Sequence, residues 1–170
     1  MGVRVPLEQC SSPTITPPQP LPIEGRGFYR AHMTAPLYTR DILRLASAIP
    51  HLAAFEAVDG VELRSPTCGS RVRVAVAMDG DRVAAVSQAV EACAFGQAAA
   101  ALMGAEAHGT TADDVRAAVS GIEAWLAGDD GAVTAWPGLA TLDPARSRAG
   151  RHGAILLPFR ALLAAIERAP

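Results

Sequence analysis

Two cysteines and a histidine are the residues of this chain best suited to chemistry: Cys68 in Ser65-Pro66-Thr67-Cys68-Gly69-Ser70, Cys93 in Ala92-Cys93-Ala94, and His152. A thiolate is a nucleophile, a sulfur acceptor and a soft metal ligand, and neutral imidazole is a common nitrogen ligand. Two thiolates and one imidazole brought together suit Zn2+ or iron. Gly69 permits tight backbone geometry near a bound atom.

The cysteines flank a hairpin. Val72, Val74, Val76 and Met78 alternate with polar residues, Val83 to Val90 form a β-branched run, and Asp79-Gly80-Asp81 between them supplies turn chemistry. If the turn is Gly80-Asp81, Asp79 faces Arg82. Unbroken counting then sets Cys68 opposite Cys93, with their Cβ atoms about 5 Å apart. A bulge or slip would displace one of them and leave both at the same end of the sheet. Cys93 also opens an alanine-rich helix, where unpaired N–H groups and the macrodipole favour a thiolate. His152 reads as preceding the terminal helix, and joins the cysteines if that helix folds back over the same end.

Other readings stand beside these. The cysteines could be small buried hydrophobes, and His152, beside Arg146, Arg148 and Arg151, a solvated loop residue. His51 and His108 read as surface or capping residues, Trp125 and Trp136 as packing residues. Asp113 and Asp114 read as helix N-terminal charges rather than an acid–base pair.

The elements that must position the site follow from local pattern. Residues 1–35 hold Pro6, Pro13, Pro17, Pro18, Pro20 and Pro22 with Gly25 and Gly27, and read as a disordered tail that includes Cys10. Residues 36–170 read as one domain. Thr39 offers an N-cap, and Ile42, Leu45, Ala46 and Ile49 fall at helical spacing until Pro50. Val61 and Leu63 against Glu62 and Arg64 make a first strand, so three strands form an antiparallel meander. A central helix spans 94–107. Thr111 with Asp114 forms a capping box before the apolar stripe Val115, Val119, Ile122 and Leu126, ending near Gly128. Residues 128–152 read as a long connection with a short helical turn around Leu139. Ile155, Phe159, Leu162, Leu163 and Ile166 mark the terminal helix, with Pro158 in its first turn. The fold class is α+β: a small three-stranded antiparallel sheet with helices packed on it.

Composition narrows the function. The chain has 170 residues, 50% hydrophobic, with mean hydropathy +0.20. Such a chain buries roughly 70% of its unfolded surface and needs no disulfide framework. All 15 basic residues are Arg, and neither Lys nor Asn occurs. That excludes a Schiff base, a P-loop, a serine–lysine dyad, a Cys-His-Asn triad and N-glycosylation. The net charge of -2 leaves no broad footprint for nucleic acid. An odd count of 3 cysteines suggests a reducing compartment. The sequence shows neither a signal peptide nor a membrane span, so the expected location is the cytoplasm.

Taken in order, Pro36-Leu37-Tyr38, Asp41-Ile42-Leu43, Ser65-Pro66-Thr67-Cys68-Gly69, Ala92-Cys93-Ala94 and Gly109-Thr110-Thr111 resemble the NifU/IscU-like iron–sulfur cluster assembly scaffold family. The resemblance covers about residues 36–167, and the long connection before His152 is similar to the SufU-type branch. It implies the NifU N-terminal/IscU-like α+β fold and a labile iron–sulfur cluster, or Zn, held by Cys68, Cys93 and His152. It also implies sulfur delivery by a cysteine desulfurase, transfer to apo iron–sulfur client proteins, and no enzymatic turnover. The family pattern is C-G-D, then G-C, then a late Cys. Here Ser70, a weak fourth oxygen donor in the ligand set, replaces the aspartate, and Gly153 stands at the third cysteine with His152 beside it. A [2Fe–2S] cluster takes four protein ligands, so a homodimer could supply the remainder. Three readings result: a scaffold or carrier, a protein-binding or persulfide-accepting module without stable cluster binding, and, last, a thiol enzyme with Cys93 activated by His152.

Overall fold

In the computed structural model, residues 38–66 and 69–170 are described. The expected tail over 1–35, Cys10 and Cys68 lie outside the described residues.

Helix α1, Arg40–Ser47, begins where Thr39 Oγ1 accepts the Ile42 N–H at 3.3 Å. Strands β1 (Val61–Arg64), β2 (Arg71–Asp79) and β3 (Arg82–Glu91) form an antiparallel sheet in the order β1-β2-β3. Gly80, at φ 62°, makes the tight turn between β2 and β3. Val72 and Val74 are fully buried beneath the helices. The opposite sheet face holds a smaller cluster of Phe55, Val58 and Ala89, with the Arg71 guanidinium 4.1 Å above the Phe55 ring.

The hairpin register departs from unbroken counting. Asp79 faces Arg82 and Met78 faces Val83, but Ala77 faces Ala85, so Ala84 is an extra residue in β3. A β-bulge of this kind shifts every later pair by one. Buried Val83 and buried Gln88 therefore share a face despite their odd separation. Counted on past the last pair, Arg71 with Glu91, this register sets Cys93 opposite Gly69; the expected facing of Cys93 by Cys68 lies outside the described residues.

Helix α2, Ala94–Glu106, follows β3 directly, and nine of its residues are buried, Phe95 and Met103 completely. Helix α3, Ala112–Leu126, starts with the expected capping box: Thr111 Oγ1 accepts the Asp114 N–H at 3.2 Å, and Asp114 Oδ2 accepts the Thr111 N–H at 2.9 Å. Both tryptophans pack as expected, and Trp136 Nε1 donates to the Leu102 carbonyl at 2.9 Å.

The helical turn expected around Leu139 is present as a 3-10 helix, Leu139–Ala145, and a second one at Asp130–Ala135 was not foreseen. Two expectations about the terminal helix fail. Helix α4 spans Ala149–Arg168, so His152 lies in its first turns and Pro158 in its interior. A proline there removes an N–H and leaves the carbonyl four residues earlier, that of Ala154, without its helical donor. Burial of Ile155, Phe159 and Leu162 compensates, each such side chain contributing about 1.5–3 kcal/mol. Helix α4 packs on β1, β2, α2 and α3, and α1 packs on α2.

Candidate functional site

Three chain segments converge at the open end of the hairpin. The β1–β2 ladder continues one pair past Arg64 and Arg71, where the Ser65 N–H donates to the Ser70 carbonyl at 2.8 Å. The Gly69 N–H also donates to the Ser65 carbonyl, at 3.1 Å. The ends of the segment that contains Cys68 are thereby tied to the sheet. On the neighbouring strand, β3 ends in the pair Arg71–Glu91, and Cys93 follows two residues later as the N-cap of α2.

Cys93 is a half-buried free thiol packed against the main core. Its φ of -65° and ψ of 165° are the extended geometry of a cap, and its carbonyl accepts the Gln97 N–H at 2.9 Å. The thiol makes no capping hydrogen bond. It therefore sits where first-turn N–H groups concentrate positive potential.

The same end is braced electrostatically. Arg71 Nε and Nη2 each donate to a Glu91 oxygen at 2.6 Å, a bidentate pair. That bonding holds the Glu91 carboxyl below its ordinary range against the opposing effect of desolvation, and raises Arg71. Glu62 is likewise lowered, first by its hydrogen bond from Arg73.

Helix α4 supplies the third side of the site. A Cβ placed on Gly153 would lie 3.2 Å from Ser65 Oγ, so this turn of α4 faces the end of β1. Gly96, one turn into α2, approaches Ala154 so closely that its Cβ would lie 3.2 Å from the Ala154 carbonyl oxygen. The Cys93 end of α2 and the Gly153 turn of α4 are thus within about one helical turn, ~5 Å, of this contact.

His152 is half-buried, and its Nε2 lies 2.9 Å from the Arg146 carbonyl. A carbonyl only accepts, so Nε2 carries a proton, and in the neutral ring the lone pair is on Nδ1. This is how second-shell bonds fix a ligating histidine. His152 is a helix residue held by a backbone bond, which corrects the reading of it as preceding the terminal helix. Ser70 is buried, at 4% exposure. Among the described residues no group of three or more His, Cys, Asp or Glu side chains is placed to hold a metal ion.

The sequence reading missed Ser65, which is 5% exposed. Its signal was strand alternation: Val61, Leu63 and Ser65 share one side of β1, as Ser70, Val72 and Val74 share one side of β2. It also missed Gln88, fully buried in β3, whose Nε2 donates to Pro50 and Ala100 carbonyls at 2.9 and 3.2 Å.

No family model matches the sequence, and the curated proteins include no match. Solved structures do match. The chain is similar to a nitrogen-fixing NifU-like protein (N-terminal) from Brucella abortus, at 29% identity and TM-score 0.65, over 78% of this chain and 96% of that one. It is also similar to a protein described as an iron–sulfur cluster assembly scaffold of the SUF system from thermophilic Fervidobacterium islandicum AW-1. That match has 21% identity and TM-score 0.67, over 76% of this chain and 96% of that one. A hypothetical protein matches at 22% identity and TM-score 0.64, over 75% of this chain and 95% of that one. The three-stranded meander and the helices packed on it give this chain a NifU/IscU-like α+β fold.

Proposed function

We propose that the protein is an iron–sulfur cluster assembly scaffold or carrier that takes sulfur from a cysteine desulfurase, holds a labile cluster, and passes it to apo client proteins. The carrying observation is the convergence of the Ser65–Ser70 closure, the Cys93 cap and the Gly153 turn of α4 at one end of the sheet. The chain's similarity to the Fervidobacterium protein described as a SUF-system scaffold supports it. Sulfur acceptance needs one exchange. A Cys93 or Cys68 thiolate attacks the terminal sulfur of the donor's persulfide, the donor S–S bond breaks, and the donor cysteine leaves as a thiolate. Sulfur changes carrier, and the step consumes no external reductant. The cluster is cargo, with Cys68, Cys93 and the His152 Nδ1 as its donors, so the protein is not an enzyme.

A second reading has its own observation. Gly153 contributes no donor atom, which favours a module that accepts a persulfide without retaining a cluster. Incubation with a cysteine desulfurase and free cysteine, followed by mass spectrometry, tests both. Persulfide on Cys93 or Cys68 is expected; an unmodified protein with both thiols intact would contradict both readings.

A further inference from the structure

Helix α4 starts with little local support. Its N-cap, Arg148, makes no side-chain capping bond, no acidic residue lies in its first turn, and Gly150 and Gly153 fall within its first five positions. Uncapped N–H groups and two glycines make a weak helix start. Yet His152, within this stretch, is held in place, because its Nε2 lies 2.9 Å from the Arg146 carbonyl six residues back. The imidazole is positioned from outside the helix, and only as firmly as that carbonyl is held.

The Arg146 side chain does the holding. It is only 21% exposed, and it is fastened to three elements. Its Nε donates to the Trp125 carbonyl at 3.0 Å, at the end of α3. Its Nη1 donates to Asp130 Oδ1 at 2.5 Å in the first 3-10 turn, and pairs at 3.5 Å with Asp143 Oδ1 in the second. The guanidinium carbon lies 5.4 Å from the centre of the buried Trp125 ring. Exposed ion pairs alone contribute little, so the bond to the Trp125 carbonyl and the ring contact are what fix the residue. A planar guanidinium, with five donors in fixed directions, can serve all these partners at once, whereas an ammonium is a point charge.

We infer that Arg146 is the positioning residue for His152: through its own carbonyl it sets the place and tautomer of the ring, and so makes Nδ1 the nitrogen that His152 offers to the cargo. The positioning stands without cargo, whereas the use of Nδ1 rests on the proposed function.

The test uses the full chain without metal and long-range proton–nitrogen correlation spectra of the histidine rings, at about pH 8, where an ordinary imidazole is neutral. The chain has 4 histidines, and His152→Ala assigns the signal. Wild type is expected to show His152 as a single tautomer with its proton on Nε2. Arg146→Gln, or Arg146→Lys if the first variant folds poorly, is expected to give a ring averaged between tautomers. A wild-type ring protonated at Nδ1, or a ring that keeps its wild-type signals in the Arg146 variant, overturns the inference. Co2+ titration then reads the link to cargo. Loss of Arg146 should weaken Co2+ binding about tenfold, as loss of a ligand's supporting bond does, and should cause no further loss in the His152→Ala background. A merely structural role would weaken both backgrounds alike. If wild type takes up no Co2+, or His152→Ala leaves the affinity unchanged, the fault lies in the proposed function's use of His152, and the metal-free spectra still decide the positioning.

Discussion

Gly96 of α2 and Ala154 of α4 meet backbone to backbone: a Cβ on Gly96 would lie 3.2 Å from the Ala154 carbonyl oxygen and 2.8 Å from the Ala92 Cβ. That carbonyl is the one deprived of its helical donor by Pro158. The bareness of Gly96 lets the two helices that border the site close on each other. Gly96→Val is expected to destabilise by about 1–3 kcal/mol through overpacking. For a domain of this size that lowers the melting temperature by about 2–4 °C per kcal/mol, read by thermal unfolding. Because the wedge parts α2 from α4, iron retention should fall as well.

The His152 Nε2 bond to the Arg146 carbonyl puts the lone pair of the neutral ring on Nδ1. His152→Ala removes one half-buried hydrogen bond, worth about 1 kcal/mol, yet should lower metal affinity about tenfold or more if Nδ1 is a ligand. Denaturant unfolding and metal titration on the same sample separate the two effects. Unaltered metal affinity would return His152 to a purely structural role.

Gln88 and Gly104 form a lock between β3 and α2. A Cβ on Gly104 would lie 2.4 Å from Gln88 Nε2, the atom that bonds Ala100 and Pro50. Gly104→Ala must push that amide aside, and Gln88→Ala takes the donor from the Pro50 carbonyl and the second donor from the helical Ala100 carbonyl, each change costing about 1–3 kcal/mol. Both act through one contact. The double variant should therefore be less destabilised than the two single losses added together, which a double-mutant cycle measures.

Acid sensitivity follows from carboxylates held low by named partners. Glu91 is lowered chiefly by Arg71, Glu62 by Arg73, and Asp114 by the Thr111 backbone N–H. A folded-state value below the unfolded one, about 4.3 for Glu, contributes stability that is present above the unfolded value. It is lost as pH falls through the folded one. Stability should thus be flat from neutral pH down to about 5 and decline below about 4. In urea unfolding across pH, Glu91→Gln should be less stable than wild type at neutral pH and show a shallower decline.

Much of the fold is local and therefore legible. The Thr39 cap, the Thr111–Asp114 box, the Val72–Met78 alternation and the alanine run after Cys93 each state their element within a few residues. What was not legible depends on distant partners. The bulge at Ala84 leaves no mark in the alternation of Val83 and Val86 until the burial of Gln88 reveals it. Pro158 reads as a helix start, and only the packing of Ile155, Phe159 and Leu162 carries the helix through it. The site was half legible for the same reason. Thiol and imidazole announce their chemistry by type, whereas Ser65 and Gly96 matter only through α4, which no nearby residue foretells.

The central claim is that the Cys68 and Cys93 thiols hold a metal and sulfur cargo. Its most direct test is the iron and acid-labile sulfide content of protein purified without oxygen, in wild type and in the Cys68→Ser, Cys93→Ser double variant. Iron with sulfide in the wild type, and neither in a double variant that melts like it, is the predicted result. A well-folded wild type that stays free of iron and sulfide after exposure to a cysteine desulfurase, cysteine and ferrous iron would contradict the claim.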